Sequence, residues 1–188
     1  MLQNSERFEL VQVGSFLTPE ECSRMISYAE NNDLKPSLTD RGRSSSRTSS
    51  QTWIDRYSTD CVVQDIVDKI HSQSMIVTGQ EDPAYYESLQ LVRYRKGEQF
   101  TAHKDGHERQ YTINIYLNDN FTGGETAFPV LNDSVRPETG KAVIWRNTTR
   151  DGKIENASEH RGCPITTGTK YICTQWVKKG DFFSRKQY

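Results

Sequence analysis

Three residues of the chain have the types and the spacing of metal ligands. His103 and Asp105 stand two positions apart, and on a β-strand such side chains point to the same face and can share one ion. A later histidine, His160, completes a set of two imidazoles and one carboxylate. That set leaves three positions of an octahedral Fe(II) open, which suits a bidentate oxo acid plus dioxygen. Alone this triad is weak evidence, because a histidine and an aspartate at this spacing also occur by chance.

The two remaining histidines have poorer surroundings for metal binding. His71 falls within a predicted helix, and His107 falls in the turn that follows Asp105. We assign both of them a structural role.

Lys170 strengthens the interpretation of the triad. It follows His160 on the next predicted strand, in the segment GTKYICTQWV. A buried lysine is energetically costly unless it is paired. The distal carboxylate of 2-oxoglutarate is a suitable partner, because the C1 carboxylate and the keto oxygen of this oxo acid would bind the metal.

A third polar group comes from the segment YTINIYL, residues 111–117. Strand alternation puts Thr112, Asn114 and Tyr116 on one face and the apolar side chains on the other. The polar face can line the same pocket as the metal. Without the other motifs, an ordinary polar outer face of a two-sided sheet explains the pattern equally well.

These side chains require a scaffold of short strands. From Leu89 onward, segments rich in β-formers and separated by turns occupy residues 89–94, 99–105, 111–117, 125–130, 141–145 and 169–177. Glycines at 97, 123, 124 and 140 mark turns between antiparallel strands. The pattern predicts a β-rich barrel or sandwich.

The N-terminal part predicts one strand and two helices. Residues 8–16 alternate as a strand does, and Thr18, Pro19 and Glu21 then provide a helix N-cap, an N1 proline and a capping-box acid. Asn31 and Asn32 are a plausible end of this helix. A second helix is expected from about Asp60, with a buried stripe formed by Val62, Val63, Ile66, Val67 and Ile70.

Residues 38–51 are rich in serine and arginine and show no apolar periodicity. A disordered linker is the plainer interpretation. Since the segment lies between two predicted packed regions and is followed by Trp53, we favour a mobile loop that closes over a ligand.

Length and composition predict a single domain of 188 residues, with helical support at about 17–75 and a β core at about 86–180. The formal net charge of −1 disfavours a general nucleic-acid binder. No signal peptide or membrane-spanning run is recognisable, which predicts a cytoplasmic protein with no membrane partner.

Several separated blocks of the chain resemble one known family. RTSSQTW at 47–53 is followed by LQLVRYRKGEQFTAHKD at 89–105, YLND and GGETAFP within 116–129, HRGCP at 160–164 and GTKYICTQWV at 168–177. In this order they resemble the prolyl 4-hydroxylase branch of the Fe(II)/2-oxoglutarate dioxygenases.

The resemblance implies a mainly β (α+β) fold, a double-stranded β-helix or jelly roll with the N-terminal helices packed on one sheet. It implies Fe(II), 2-oxoglutarate and O2 as cofactor and cosubstrates, with ascorbate as a further candidate. Its iron ligands would be His103, Asp105 and His160, and its cosubstrate contacts Lys170, Tyr94, Thr112 and Tyr116. Substrate contacts would come from Arg47, Trp53, Arg161 and Trp176.

Two departures from the family pattern concern the substrate side. Gly106 stands where relatives usually carry an aromatic residue, and the strand at Tyr111 begins almost at once, which trims the substrate-facing wall. Arg161 stands where relatives often have glycine, which adds a cation near the expected entrance.

The resemblance implies hydroxylation of a proline in a peptide or protein at C4, with oxidative decarboxylation of 2-oxoglutarate to succinate and CO2. A related oxygenase acting on a free amino acid or another protein side chain is the first alternative. A non-catalytic jelly-roll binding module is the second. Demethylation of nucleic-acid bases is disfavoured, because the near-neutral charge and the absence of that branch's arginine-rich motif oppose it.

Overall fold

Short antiparallel strands form the framework of the molecule. The computed structural model describes residues 8–38, 45–55, 62–106 and 108–180. In these ranges the helices are α1 (Pro19–Asn31) and α2 (Gln64–Thr78). The strands are β1 (Leu10–Val13), β2 (Lys35–Pro36), β3 (Ser50–Ile54), β4 (Leu89–Arg95), β5 (Phe100–His103), β6 (Arg109–Tyr116), β7 (Thr122–Gly123), β8 (Thr126–Phe128), β9 (Asp133–Val135), β10 (Ala142–Arg146), β11 (His160–Gly162), β12 (Ile165–Thr167) and β13 (Thr169–Lys178).

The strands form two main sheets and one small one. The major sheet has the order β1-β10-β6-β13-β4-β3-β2, the minor sheet the order β5-β11-β8-β9, and β12 pairs with β7. Every one of these pairings is antiparallel. The predicted antiparallel jelly roll is confirmed, although the N-terminal part contributes three strands to the major sheet as well as both helices.

Both helices pack against one face of the major sheet. Their buried side chains, such as Met25 and Ile70, belong to the same apolar cluster as Ile113, Ile115 and Cys173 of the central strands. A second cluster lies on the opposite face, where it includes Trp145 of the major sheet and Phe128 of the minor sheet. Helices therefore cover one face, and the minor sheet covers the other.

The first helix begins as its sequence predicts. The Thr18 hydroxyl accepts a hydrogen bond from the backbone N–H of Glu21, and the Glu21 carboxylate accepts one from the N–H of Thr18. Pro19 occupies the first turn, and Asn32 is the C-cap. Such a capping box supplies partners for N–H groups that the helix itself leaves unpaired.

The second helix begins later than predicted. It starts at Gln64, while Asp60 lies outside the described residues. Val62 is 78% exposed, so its place in the buried stripe is wrong, whereas Val63, Ile66, Val67 and Ile70 are buried as expected. Val62 precedes the helix and therefore does not share the orientation of the helical face.

The segment predicted as a loop from 38 to 51 is only partly a loop. Residues 39–44 lie outside the described part of the chain. Ser50 and Gln51 belong to strand β3 and pair with Arg93 and Val92 of β4, which corrects the predicted loop boundary. The polar side chains of this strand do not show the alternation that predicts a strand, because its apolar contacts come from the rest of the fold.

Neither helix in the described ranges is long and apolar enough to cross a membrane.

Two turn glycines allow the packing of a turn to be tested separately from its backbone strain. Gly140 and Gly97 have φ values of +79° and +82°. A Cβ on Gly140 would lie 2.1 Å from the Leu17 carbonyl oxygen, whereas a Cβ on Gly97 would meet nothing within 4 Å. Gly97→Ala should cost about 1–2 kcal/mol through the left-handed backbone alone. Gly140→Ala should cost about 1–3 kcal/mol more, because the turn must move away from Leu17.

Chemical denaturation of both variants measures this difference in the free energy of unfolding. Equal losses of unfolding free energy in the two variants would show that the added methyl group beside Leu17 has no cost beyond that of the left-handed backbone.

Candidate active site

The two histidines of the proposed triad face each other across a strand pair. His103 is the last residue of β5, His160 is the first residue of β11, and the two are direct partners in the antiparallel register. Asp105 follows two residues after the end of β5, so the prediction that it lies on the same strand as His103 is wrong. One ligand atom from each of the three residues lies within 4.8 Å of the others.

The hydrogen bonds of the two imidazoles determine which nitrogen faces the centre. His103 Nδ1 lies 2.8 Å from the carbonyl oxygen of Thr101, and His160 Nδ1 lies 2.9 Å from that of Ser158. A carbonyl oxygen only accepts, so each Nδ1 carries the proton and each Nε2 keeps its lone pair. Burial lowers the pKa of His160 to about 4, so this imidazole is neutral at physiological pH.

Two donors hold the Asp105 carboxylate. The Thr112 hydroxyl donates to Oδ2 over 2.6 Å, and the Trp176 indole N–H donates to the same oxygen over 3.1 Å. Although burial opposes ionisation, the neighbouring His160 and His103 and the Thr112 hydroxyl lower the pKa of Asp105 well below its ordinary value. Two imidazoles and one carboxylate are a donor set that fits Fe(II), and the outer hydrogen bonds are those that orient metal ligands.

Lys170 is a buried cation in the same pocket. It is 2% exposed, and its Nζ donates to the Gly124 carbonyl oxygen over 2.5 Å. The rings of Tyr94 and Tyr116 have their centroids 5.7 and 5.2 Å from Nζ. Burial lowers the pKa of Lys170 to about 8. No carboxylate of the described residues lies within ion-pair distance of Lys170, and the carboxylate of a bound oxo acid can fill that role.

One pocket contains most of the predicted site residues. It lies between the two main sheets. The triad and Lys170 line it together with Tyr94, Thr112, Arg47 and Trp176.

Three predicted site residues lie outside the lining of this pocket. Tyr116 does not line the pocket itself, but its hydroxyl donates over 2.7 Å to Thr126, which does. Trp53 is 43% exposed, with its ring centroid 6.1 Å from that of Trp176. Arg161 is exposed and does not line the pocket, because strand alternation points it away from the face that carries His160. Arg161 was expected near the pocket entrance, but it is not among the residues that line the pocket. His107, for which a structural role was predicted, lies outside the described residues.

Several pocket residues were not predicted from the sequence, and two of them contact predicted site residues directly. Thr126, in the GGETAFP block, is 3% exposed and accepts the Tyr116 hydrogen bond, which leaves its own hydroxyl proton available to the pocket. Phe100 stacks on His103 with ring centroids 3.5 Å apart. Alternation alone puts residues 100 and 103 on opposite faces, but an irregular register between β5 and β11 brings both to the pocket side.

Comparisons with known proteins agree with this geometry. Residues 89–178 match the family model of the 2OG-Fe(II) oxygenase superfamily. The protein named probable prolyl 4-hydroxylase 3 of Arabidopsis thaliana is 30% identical over 203 residues, covering 89% of this chain and 68% of the relative. Probable prolyl 4-hydroxylase 11 of the same plant is 37% identical over 155 residues, covering 76% of this chain and 55% of the relative.

Solved structures give the same result. The viral collagen prolyl hydroxylase of Paramecium Bursaria Chlorella virus-1, in complex with 2OG, superposes with a TM-score of 0.74 at 25% identity, covering 92% of this chain and 97% of that one. A Pseudomonas putida prolyl-4-hydroxylase shares the fold, with a TM-score of 0.68 at 20% identity over 92% of this chain and 94% of its own.

The chain therefore belongs to the 2OG-Fe(II) oxygenase superfamily, in its prolyl 4-hydroxylase-like branch. It is a dioxygenase whose family uses Fe(II), 2-oxoglutarate and O2. This membership favours an enzyme over a non-catalytic binding module. The chain spans about two thirds of the length of the first of these relatives.

The geometry of the triad predicts a single metal site. The protein should bind one Fe(II), or Mn(II) as a substitute, and His160→Ala should weaken binding strongly because it removes one of three converging donors. His71→Ala is the matched control, since His71 packs beside the Tyr86 ring, 5.7 Å away on the helical side of the sheet. Calorimetric titration with Mn(II) measures both variants. Unchanged affinity in His160→Ala would exclude the triad as the metal site.

Proposed function

We propose that this protein catalyses 4-hydroxylation of a proline in a peptide or protein, with His103, Asp105 and His160 holding Fe(II) and Lys170 holding the distal carboxylate of 2-oxoglutarate. The observation that carries the proposal is the pocket itself. Three converging metal donors and a buried lysine without a carboxylate partner among the described residues line one cavity. A ligand that combines a chelating end with a distal carboxylate satisfies both.

When bound, iron would supply the activation of O2, which is the oxidant: one oxygen atom enters a substrate C–H bond, and the other enters succinate as 2-oxoglutarate is oxidised and loses CO2. The protein side chains bind and orient. The Nδ1 bonds of His103 and His160 to backbone carbonyls fix both rings, and Lys170 neutralises the distal carboxylate. Thr126 adds a hydroxyl that can donate to the same carboxylate.

Buried aromatic and apolar side chains keep the pocket dry. Trp145 packs with its ring centroid 4.5 Å from that of His160, and Ile172 lines the same cavity with 7% exposure. A pocket with little water strengthens every charge interaction inside it. Such walls also limit the loss of reactive species to solvent.

Two observations support a peptide as the substrate. The proteins named as relatives are prolyl 4-hydroxylases, and one solved relative carries the name collagen prolyl hydroxylase. At the pocket mouth, exposed Trp53 lies beside Trp176. Arg47 lines the same pocket, where its Nη2 donates to Gln90 Oε1 over 2.8 Å.

Substrate class can be tested by incubating the protein with Fe(II), 2-oxoglutarate and ascorbate and either proline-containing peptides or free proline. We expect succinate to form together with a one-oxygen mass gain on peptides, and 4-hydroxyproline after their hydrolysis. His160→Ala, which lacks one of the three metal donors, serves as the inactive control. Hydroxylation of free proline with all peptides unmodified would replace the peptide substrate by an amino acid.

Lys170 gives a pH-dependent prediction for cosubstrate binding. Its pKa is lowered by burial to about 8, so above pH 8 the free protein loses the cation that the carboxylate needs. The Michaelis constant (KM) for 2-oxoglutarate should therefore be insensitive to this group below pH 8 and rise about tenfold per pH unit above it. Lys170→Arg should remove this rise, since arginine keeps its charge at these pH values.

Lys170→Ala should raise the KM for 2-oxoglutarate by about two orders of magnitude, because it leaves a carboxylate unpaired in a buried site. Initial rates across pH 7–9.5 measure all three proteins. Equal pH profiles for wild type and Lys170→Arg would show that Lys170 is not the group that titrates with cosubstrate binding.

An ascorbate requirement and a cytoplasmic location remain predictions.

A further inference from the structure

Asp105 belongs to no strand of the described chain, unlike the two histidines of the triad. Gly106 follows it with a φ of +78°, and a Cβ on this glycine would meet nothing within 4 Å. The chain is therefore open beside Gly106, whereas the Asp105 side chain is 7% exposed. The position of the carboxylate depends on the two donors from the major sheet, Thr112 of β6 and Trp176 of β13.

Trp176 is held on two sides. Its indole N–H donates to Asp105, and the Arg109 guanidinium lies 3.8 Å from the centroid of its ring. Arg109 is itself oriented by two hydrogen bonds of 2.8 Å to the two carboxylate oxygens of Glu87. A planar guanidinium bound at both ends of its fork has little freedom to leave the ring.

Glu87 is joined to the strand of Trp176 as well. Its backbone N–H donates to the Trp176 carbonyl over 3.0 Å, and its own carbonyl accepts from Gln175 Nε2 over 2.6 Å. Glu87, Arg109 and Trp176 thus form a closed set of contacts in which the indole is 6% exposed. The indole N–H is therefore aimed at Asp105 before any ligand binds.

A second arm reaches the same oxygen of Asp105. Asn147 Nδ2 donates a hydrogen bond to Thr112 Oγ1 over 2.7 Å. The Thr112 hydroxyl has one proton, and it donates this proton in a hydrogen bond to Asp105 Oδ2. Both donors therefore bind Oδ2, which lies 3.8 Å from His160 Nε2, while Oδ1 lies 3.6 Å from His103 Nε2.

We propose that Trp176 is a positioning residue of the metal centre, oriented by Arg109 and Glu87, and that with Thr112 it holds the Asp105 carboxylate in place for metal binding. The inference rests on the proposed metal site. Its consequence is that metal affinity depends on side chains that do not touch the ion, because they fix the position of a ligand.

The test compares Trp176→Phe, which keeps an aromatic ring beside Arg109 but removes the donor, with Thr112→Val and the milder Arg109→Lys. Arg93→Ala is the matched control, because Arg93, on the same sheet, makes a similar bond of 3.0 Å to Glu30 of helix α1 but does not line the pocket. Mn(II) affinity by calorimetry and the visible absorption of the Co(II) form are measured without 2-oxoglutarate or substrate. Thermal unfolding identifies any variant that does not fold.

Trp176→Phe and Thr112→Val should each weaken Mn(II) binding by about 10- to 100-fold, the usual effect of removing an outer partner of a metal ligand. The Co(II) absorption spectrum should also change, because the carboxylate ligand is no longer held in one orientation. Arg109→Lys should shift both readouts in the same direction by a smaller factor, and Arg93→Ala should shift neither.

Wild-type affinity and spectrum in folded Trp176→Phe would overturn the inference even if its activity fell, because Trp176 would then act on the substrate alone. Should Trp176→Phe fail to fold, unchanged readouts in Arg109→Lys would overturn it instead. Failure of the proposed function gives a different result: the wild-type protein would bind no metal, or His160→Ala would bind it equally well.

Discussion

The alternation of side chains along the central strands β6, β13 and β4 is the constraint on which both the core and the site depend. On one face, Ile113, Ile115 and Cys173 pack under the helices, and on the other, Asn114 and Thr174 line the pocket. Because the period is two residues, a register slip of one position would exchange the faces and put apolar side chains into the pocket. The register that buries the hydrophobic core is therefore the register that assembles the active site.

A pocket built in this way must accept charges in a poorly solvated space. The lowered pKa of Lys170, about 8 against an ordinary 10.5, corresponds to a penalty on the order of 3 kcal/mol on its charged form. The faces of the Tyr94 and Tyr116 rings and the Gly124 carbonyl offset part of that penalty. Under the proposed function, the carboxylate of the bound oxo acid would offset the rest, so the burial of the lysine would favour an anionic ligand.

The two main sheets supply different parts of the centre. The minor sheet carries both imidazoles, on β5 and β11, while the major sheet provides the lysine and the donors that hold Asp105. Correct geometry therefore requires the sheets to keep their relative position, and the edge-on contact of Phe128 with Trp145, 5.4 Å between centroids, joins them beside His160. Substitutions in this apolar layer are expected to affect the metal site through distance, without touching a ligand.

The sequence by itself determined the fold class, the capped first helix and the candidate ligands, because alternation, capping and residue type are local properties. Predictions from the sequence placed Val62 in a buried stripe, did not include strand β3 and assigned Asp105 to a strand, and all three were wrong. Only the tertiary structure decided that Phe100 stacks on His103 and that Arg161 points away from the pocket. Strand pairing, a register irregularity and contacts between distant segments set these positions, and no local pattern encodes them.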